Sequence, residues 1–409
     1  MQLNKKVLYI SIDGMTDPLG QSQVLPYLKG LAKVGYQITI ISAEKVERFL
    51  KLKSTVENIV NDSKINWQPI HYYSTAPFLS PLLNFFRLRK ACLKHASKNE
   101  ISIVHCRSYL PSLIGLKIKK RYHSKFIFDM RGFFADERLD GGIWNKKNLI
   151  KRNLHHYFKR KEIEFLNHSD YTISLTKAAK NEISTWPEVS EKLKIEVIPC
   201  CVDLDLFSMN RVEKVDQQNW QQKLKIEPDD YVISYLGSTG TWYLFEEMLD
   251  FFKCLQETYS TAKFLIITQD ASEDVQSKAR KKNIDIHKLI IIGADRVEVP
   301  LLLSLSCISI FYIKPTFSKM ASSPTKMGEI LAMGIPIITN SGVGDVDQMV
   351  IESKCGMLVE NFNIKDYKEV IKQIPAFLKR DKMIYSEAAK KYFSLDVGTQ
   401  KYAKIYASL

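Results

Sequence analysis

The chain has 409 residues, 45% of them hydrophobic and 25% charged. These proportions exclude wholesale disorder and leave room for two or three domains with full cores. Against 45 Asp and Glu stand 59 Lys and Arg, a net charge of +14, which invites nucleic acid, an anionic membrane surface or a negatively charged small molecule as partner. The charge is uneven: residues 1–190 hold 31 cations and 16 acids, a net of +15, whereas residues 191–409 hold 28 and 29, a net of −1.

In chain order, the apolar run 7–12 is too short for a signal-peptide core and reads as a first strand. Strand candidates follow at 37–42, 102–105, 126–129 and 171–174. Val24, Leu25, Leu28 and Leu31 recur at helical spacing and predict a helix over 21–33. Residues 197–203 form a last short strand running into a Pro-containing crossover. The alternation restarts at 231–236 and continues through 264–268, 289–292, 308–311 and 336–339, with helical stretches such as 245–259 between. Alternation of this kind is the mark of parallel α/β units. It predicts an α/β fold with two Rossmann-like domains, 1–200 and 201–385, facing each other across a cleft. Ligands of such sheets bind outside the carboxyl ends of the strands. Residues 386–409 have a helical pattern that either closes the second domain or crosses back to the first.

Seven cysteines with no C-x-x-C pair argue for reduced thiols rather than a disulfide framework or a zinc ribbon. No H-x-x-x-H, H-E-x-x-H or carboxylate cluster points to a metal. After the first strand, Asp13-Gly-Met-Thr-Asp-Pro-Leu-Gly20 lacks the G-x-G-x-x-G of dinucleotide enzymes. No stretch of about 18 uncharged apolar residues is present, so membrane contact is expected to be peripheral.

The most informative segment is Ser322-Ser-Pro-Thr-Lys-Met-Gly-Glu-Ile-Leu-Ala-Met-Gly-Ile-Pro-Ile-Ile-Thr-Asn340. It reads as a polar loop, a small-residue helix, a glycine stop and a strand. Ser323 fits the N-cap and Pro324 the first helical position. The N–H groups of that helix start, with Thr325 and the charge of Lys326, make a diphosphate seat. Glu329, one turn on, is placed to accept hydrogen bonds from a ribose diol. The same pattern also fits a capped structural helix. A second cluster, Asp129-Met-Arg-Gly-Phe-Phe-Ala-Asp-Glu-Arg138, follows a buried-looking strand. There Arg131 can hold a phosphate through two N–H groups, and Asp136 or Glu137 can orient an acceptor hydroxyl. A surface loop of balanced charge is the plainer alternative. His105 reads as a packed core residue.

The Ser322–Asn340 stretch resembles the donor-binding signature of the GT-B glycosyltransferases of the retaining family 4 (group 1) type. Three other stretches are similar to the same family in the same order: Asp17-Pro-Leu-Gly-Gln-Ser-Gln-Val-Leu-Pro-Tyr-Leu, Val197-Ile-Pro-Cys-Cys-Val-Asp-Leu-Asp-Leu-Phe207 and Tyr235-Leu-Gly-Ser-Thr-Gly240. The chain departs from the family in three places. Ala321 stands where the first of two paired glutamates is usual, Thr241-Trp-Tyr243 replaces a Lys-Gly, and Phe128-Asp-Met-Arg-Gly-Phe-Phe134 occupies a common His-Gly position.

The resemblance implies a GT-B fold and transfer of a sugar, with retention, from a nucleotide-sugar donor that serves as co-substrate without a metal or other cofactor. It places Gly20, Gly237, Ser238, Ser323, Pro324, Thr325, Lys326 and Glu329 at the donor, and leaves Asp129, Arg131 and Glu137 as catalytic candidates. It further implies glycan or lipid-linked acceptors, cell-surface polysaccharide synthesis, and a cytoplasmic enzyme peripheral to the inner face of the plasma membrane, with no nucleic-acid partner. A GT-B-like sugar-nucleotide epimerase and a non-enzymatic basic adaptor remain as alternatives.

Two basic runs, 76–94 and 146–161, combine cations with apolar residues. Such segments suit the interface of an anionic membrane, or form solvated helix faces.

Overall fold

The computed structural model describes residues 5–74 and 79–409. Two α/β units divide the chain. One ends at Pro199 and is completed by Leu395–Leu409; the other is Cys200–Ser394. The first three residues of the basic run 76–94 lie outside the described residues, as do residues 1–4.

The first unit begins with β1 (Lys6–Ser11), α1 (Pro18–Gln23), α2 (Leu25–Lys33), β2 (Gln37–Lys45), α3 (Val46–Asp62) and β3 (Asn66–Tyr72). It continues with α4 (Ser80–Lys98), β4 (Ile103–Arg107), α5 (Tyr109–Tyr122), β5 (Lys125–Asp129), α6 (Phe134–Asp140) and α7 (Leu149–His168). The last elements before the crossover are β6 (Tyr171–Ser174), α8 (Lys177–Ser184) and β7 (Ile195–Val197). All strands pair in parallel in the order β3-β2-β1-β4-β5-β6-β7. The central strands are buried on both faces, which is why they read as continuous apolar runs. The order reverses between β1 and β4, so the carboxyl ends of β1, β4 and β5 flank the switch point where open α/β sheets bind ligands.

The second unit contains α9 (Lys214–Lys223), β8 (Tyr231–Leu236), α10 (Phe245–Thr258), β9 (Ala262–Ile267), α11 (Ser272–Lys281) and β10 (Leu289–Ile292). Then follow α12 (Val299–Leu303), β11 (Ile308–Ile310), α13 (Thr325–Ala332), β12 (Ile337–Asn340), α14 (Val346–Ser353), β13 (Gly356–Val359), α15 (Ile364–Leu378) and α16 (Met383–Phe393). Its parallel sheet has the order β10-β9-β8-β11-β12-β13. Gly328 lets α16 close onto α13, since a Cβ there would lie 2.8 Å from Phe393 and Val202 side-chain atoms. This contact explains the small-residue character of that helix.

Several sequence expectations shift. The helix expected over 21–33 is two helices, because Pro26 in the first turn of α2 has no N–H with which to continue α1. The strand expected over 197–203 ends at Val197; past Pro199, Val202 makes only an isolated bridge to Ser394. Strands β3 and β13 carried no clear signal: β3 is a half-exposed edge strand containing Pro69, and β13 is four residues opening on Gly356. Residues 386–409 are not one helix. The chain leaves α16 at Phe393, and α17 (Leu395–Ser408) packs on α2 of the first unit. A Cβ on Gly30 would overlap Thr399, so the missing side chain is what admits α17. Tyr402 and Tyr406 then stack edge-on against Tyr27 and Tyr36, at 5.3 and 5.1 Å between centroids.

Candidate functional site

In the second unit, β8 ends in the loop 237–243 and α13 starts beside it. Gly237 has φ +127, a conformation that L side chains rarely adopt, and a Cβ there would lie 2.6 Å from Lys326 Nζ. Lys326 is therefore packed under the glycine loop. Its Nζ donates to the Tyr235 hydroxyl at 3.2 Å, and lies 3.6 Å from the Tyr243 ring centroid and 4.5 Å from that of Tyr235. Only 7% of Lys326 is exposed. Burial pushes its ammonium down to about 7, with Glu329 opposing the shift.

The loop is braced from outside. The Thr239 hydroxyl donates to Asp270 at 2.8 Å, Lys278 Nζ donates to the Thr239 carbonyl at 2.9 Å, and Gly240 N–H donates to Ser238 Oγ at 3.2 Å. The Trp242 carbonyl accepts from Lys314 N–H at 2.9 Å, and Lys319 Nζ stands 3.7 Å from the Trp242 ring centroid. Glu329 faces inward and is fixed by Arg296, whose Nη1 donates to Oε1 at 2.8 Å.

One detail of the helix start differs from expectation. Pro324, not Ser323, is the N-cap, and Thr325 opens α13. Ser323 Oγ instead accepts from Cys200 N–H at 3.2 Å. Proline in the capping place supplies no side-chain acceptor, so the first N–H groups of α13 have no side-chain cap. Gly237 and Lys326 are in immediate contact, Ser238 continues the same loop, and Ser323, Pro324, Thr325 and Glu329 belong to the start of α13. Ala321 is buried in the short 3-10 turn Phe317–Ala321 that precedes it.

Gly20 lies in the first unit. It sits inside α1 rather than on a glycine loop, and a Cβ there would overlap the backbone of Gly14 and Met15. The β1–α1 loop is held by the buried Glu44 carboxylate, which accepts from Met15 N–H at 2.7 Å, from Thr16 N–H at 3.1 Å and from the Ser42 and Thr16 hydroxyls at 2.6 Å each.

Asp129 and Arg131 meet at the carboxyl end of β5, with Nη1 to Oδ1 at 3.8 Å. Asp129 is 1% exposed. Its Oδ2 lies 3.5 Å from His105 Nε2 and 3.4 Å from the Tyr402 hydroxyl. Burial works to raise the Asp129 carboxyl, but Arg131 and His105 more than offset it, and the group ends below the usual range. His105 is lowered, chiefly by burial, and its Nδ1 pairs with the Tyr406 hydroxyl at 2.7 Å. Arg131 holds φ +59, strained for a residue with a side chain, and is followed by Gly132 at φ +131. Glu137 lies on α6, half-buried. Asp136 turns toward α7, taking His155 Nε2 at 3.1 Å and Lys159 Nζ at 3.0 Å, and so ties two helices together instead of standing open to a ligand.

Sequence reasoning missed Tyr235, Tyr243, Lys319 and Arg296. The signal for Tyr243 was the replacement of Lys-Gly by Thr241-Trp-Tyr243. Nothing in the sequence pointed to Arg296, which reaches Glu329 from 33 positions away.

Residues 21–206 match the family model "Glycosyltransferase Family 4", and residues 216–391 match "Glycosyl transferases group 1". No curated protein matches the chain by sequence. Among solved structures it is similar to a sucrose-phosphate synthase from Thermosynechococcus elongatus, with TM-score 0.74 at 13% identity over 99% of each chain. It is also similar to Anabaena HepE in complex with UDP and glucose, with TM-score 0.72 at 13% identity over 99% of this chain and 100% of that one. WaaG, a glycosyltransferase involved in lipopolysaccharide biosynthesis, gives TM-score 0.67 at 12% identity over 98% and 99%. Two parallel α/β sheets in this order, each unit matching its own family model, make the chain a member of the group 1 glycosyltransferases of the GT-B fold.

Proposed function

We propose that this glycosyltransferase takes its sugar from a nucleotide-sugar whose diphosphate is seated by Lys326, the Gly237–Ser238 loop and the first N–H groups of α13. The observation that carries the reading is the contact of Lys326 Nζ with Gly237. It sets a buried cation and uncapped helix N–H groups side by side, the combination that neutralises a diphosphate. Where the family commonly draws a lysine from the glycine loop, this chain has Tyr243 and brings the cation from α13 instead. Arg296 presets the Glu329 carboxylate for a ribose diol. HepE, a structural neighbour, is in complex with UDP and glucose, which supports a uridine nucleotide as the first donor to try.

The proposed chemistry is retaining and needs no metal or other cofactor. As the sugar–phosphate bond lengthens, charge grows on the diphosphate oxygens, and donors already in place stabilise it. In the first unit Arg131 is the proposed contact to substrate. Buried Asp129 acts as a positioning residue that orients the Arg131 guanidinium, and Glu137 is the remaining acid for an acceptor hydroxyl. A glycan or lipid-linked acceptor at the inner face of the plasma membrane, in cell-surface polysaccharide synthesis, fits the basic first unit and the likeness in fold to WaaG.

A thermal-shift panel of UDP-, GDP-, ADP- and CMP-sugars tests the reading, with NMR of the product to assign the anomer and EDTA to test metal independence. Stabilisation by one nucleotide series, lost in Lys326→Ala, is the expected result. No response to any nucleotide would remove the donor site, and an epimerised sugar without transfer would replace the transferase with an epimerase.

A further inference from the structure

We propose that Arg107, at the carboxyl end of β4, seats an oxyanion of the acceptor, so that the acceptor sugar carries a phosphate or carboxylate group. The inference rests on the glycosyltransferase reading of the first unit and deepens it by naming the acceptor's chemical class.

The place follows from the sheet. Strands β1, β4 and β5 are neighbours, with Ile10 opposite Cys106 and Arg107 opposite Asp129. Ser11, Arg107 and Asp129 therefore stand side by side at the carboxyl edge, on the face that also carries Tyr9 and His105. All three are buried, and only 4% of Arg107 is exposed. Asp13, Ser108, Arg131 and Gly132, which follow these strands, are partly exposed, so solvent reaches the rim of the row but not its floor.

The row is short of partners. Arg107 Nε and Nη1, Ser11 Oγ and Asp129 Oδ1 are shut off from solvent and make no hydrogen bond. Arg107 Nε meets Asp13 Oδ2 at 3.5 Å, within ion-pair range but beyond a good hydrogen bond. Other buried polar groups at this edge are satisfied; the Glu44 carboxylate on β2 accepts four hydrogen bonds. A buried guanidinium with idle N–H groups is destabilising, and an anion that takes them offsets the penalty.

Charge points the same way. Arg107 and Arg131 both act on Tyr9, His105 and Asp129, which sets two guanidiniums around one buried carboxylate. The second carboxylate, on Asp13, is 37% exposed and belongs to a loop, so an incoming oxyanion can displace it from Arg107. A planar guanidinium suits phosphate and carboxylate alike. Asp129 Oδ1, besides facing Arg131 Nη1 at 3.8 Å, can accept from a hydroxyl beside the charged group, and the Ser11 hydroxyl can serve either. Donors for an anion next to an acceptor for a hydroxyl describe a phosphorylated or acidic sugar, rather than a bare ion or a neutral glycan.

The test is thermal shift and calorimetry of the full chain with glucose, glucose 6-phosphate, glucuronate and inorganic phosphate. Each is run in wild type and in Lys326→Ala, whose proposed diphosphate seat is disabled. Glucose 6-phosphate or glucuronate is expected to bind in both backgrounds and ahead of glucose and inorganic phosphate; the tighter of the two identifies the anion. Arg107→Met should weaken that binding by about tenfold or more, through the loss of charge-assisted hydrogen bonds. Asp13→Asn should strengthen it by about threefold, because it removes the competing carboxylate. A purely structural ion pair would give no such gain, and the partly exposed Asp13 keeps the test alive if Arg107→Met fails to fold by circular dichroism. No response to either charged sugar, an equal response to glucose, or weaker or unchanged binding in Asp13→Asn would overturn the proposal. So would binding that disappears in Lys326→Ala, which would put the anion in the donor seat. Nucleotide stabilisation measured alongside reports on the donor reading separately, so the acceptor class can fail while the donor site stands, and the reverse.

Discussion

Lys326 Nζ lies 3.6 Å from the centroid of the Tyr243 ring, so the cation of the proposed donor site rests on an aromatic face in a nearly dry environment. A cation there gains from the ring quadrupole but loses its water, and the loss dominates: burial pushes the amine down to about 7. Only the protonated amine attracts a diphosphate. Nucleotide-sugar affinity should therefore fall roughly fivefold from pH 7 to pH 8, as the protonated fraction falls, and Lys326→Met should flatten that slope. Isothermal titration calorimetry across the range measures it; an equal slope in the variant would show that another group titrates.

The same amine makes a stability prediction. Its folded value is depressed from 10.5 to about 7, so between these limits the unfolded chain binds more protons, and stability rises with pH across that window. The contribution is at most about 1.4 kcal/mol per pH unit. Urea midpoints of Lys326→Met should lose this slope and lie above wild type at pH 7, while nucleotide binding weakens. A midpoint lower than wild type at pH 7 would mean that the aromatic contacts outweigh desolvation.

Gly237→Ala should damage the site in two ways. It forces a side chain into φ +127 and thrusts a methyl group to 2.6 Å from Lys326 Nζ. A loss of about 1–3 kcal/mol of stability is expected, together with weaker nucleotide binding because the amine must leave Tyr243. Differential scanning calorimetry and the nucleotide titration check the two effects separately.

Arg296 and Glu329 should behave as one unit. With Nη1 and Oε1 at 2.8 Å and Glu329 largely buried, Arg296→Ala leaves a carboxylate without its charged partner. The expected cost is about 1–2 kcal/mol, reduced from a fully buried pair because Arg296 is partly exposed. A double-mutant cycle with Glu329→Gln, read by nucleotide affinity, should show coupling, and additive losses would separate the two residues.

In the first unit, His105 predicts acid sensitivity. Its folded value is lowered by burial, so as pH falls below about 6.5 the unfolded chain takes up a proton that the folded chain refuses, and stability declines. Asp129 contributes further down: its carboxyl is held below the usual range, and that contribution is lost as pH falls through the folded value. His105→Asn should flatten the decline between pH 6.5 and 5 without removing the deeper one. Chemical denaturation at half-unit pH steps distinguishes the two.

The sequence by itself determined the two α/β series, most of their strands and the motif that opens α13, because strands buried on both faces are uniformly apolar and a Pro-containing helix start is a local signal. It also determined the uneven charge, which is arithmetic. It did not determine the return of α17 to the first unit, since Tyr402 and Tyr406 are equally good core residues for either sheet; the space left by Gly30 and the partners Tyr27, Tyr36 and His105 decided that. Nor did it show that Lys326 is a buried cation and that Arg296 fixes Glu329. Both depend on contacts between elements distant in sequence, β8 with α13 and the 293–298 loop with α13, and side chains that meet only through the fold leave no periodicity to read.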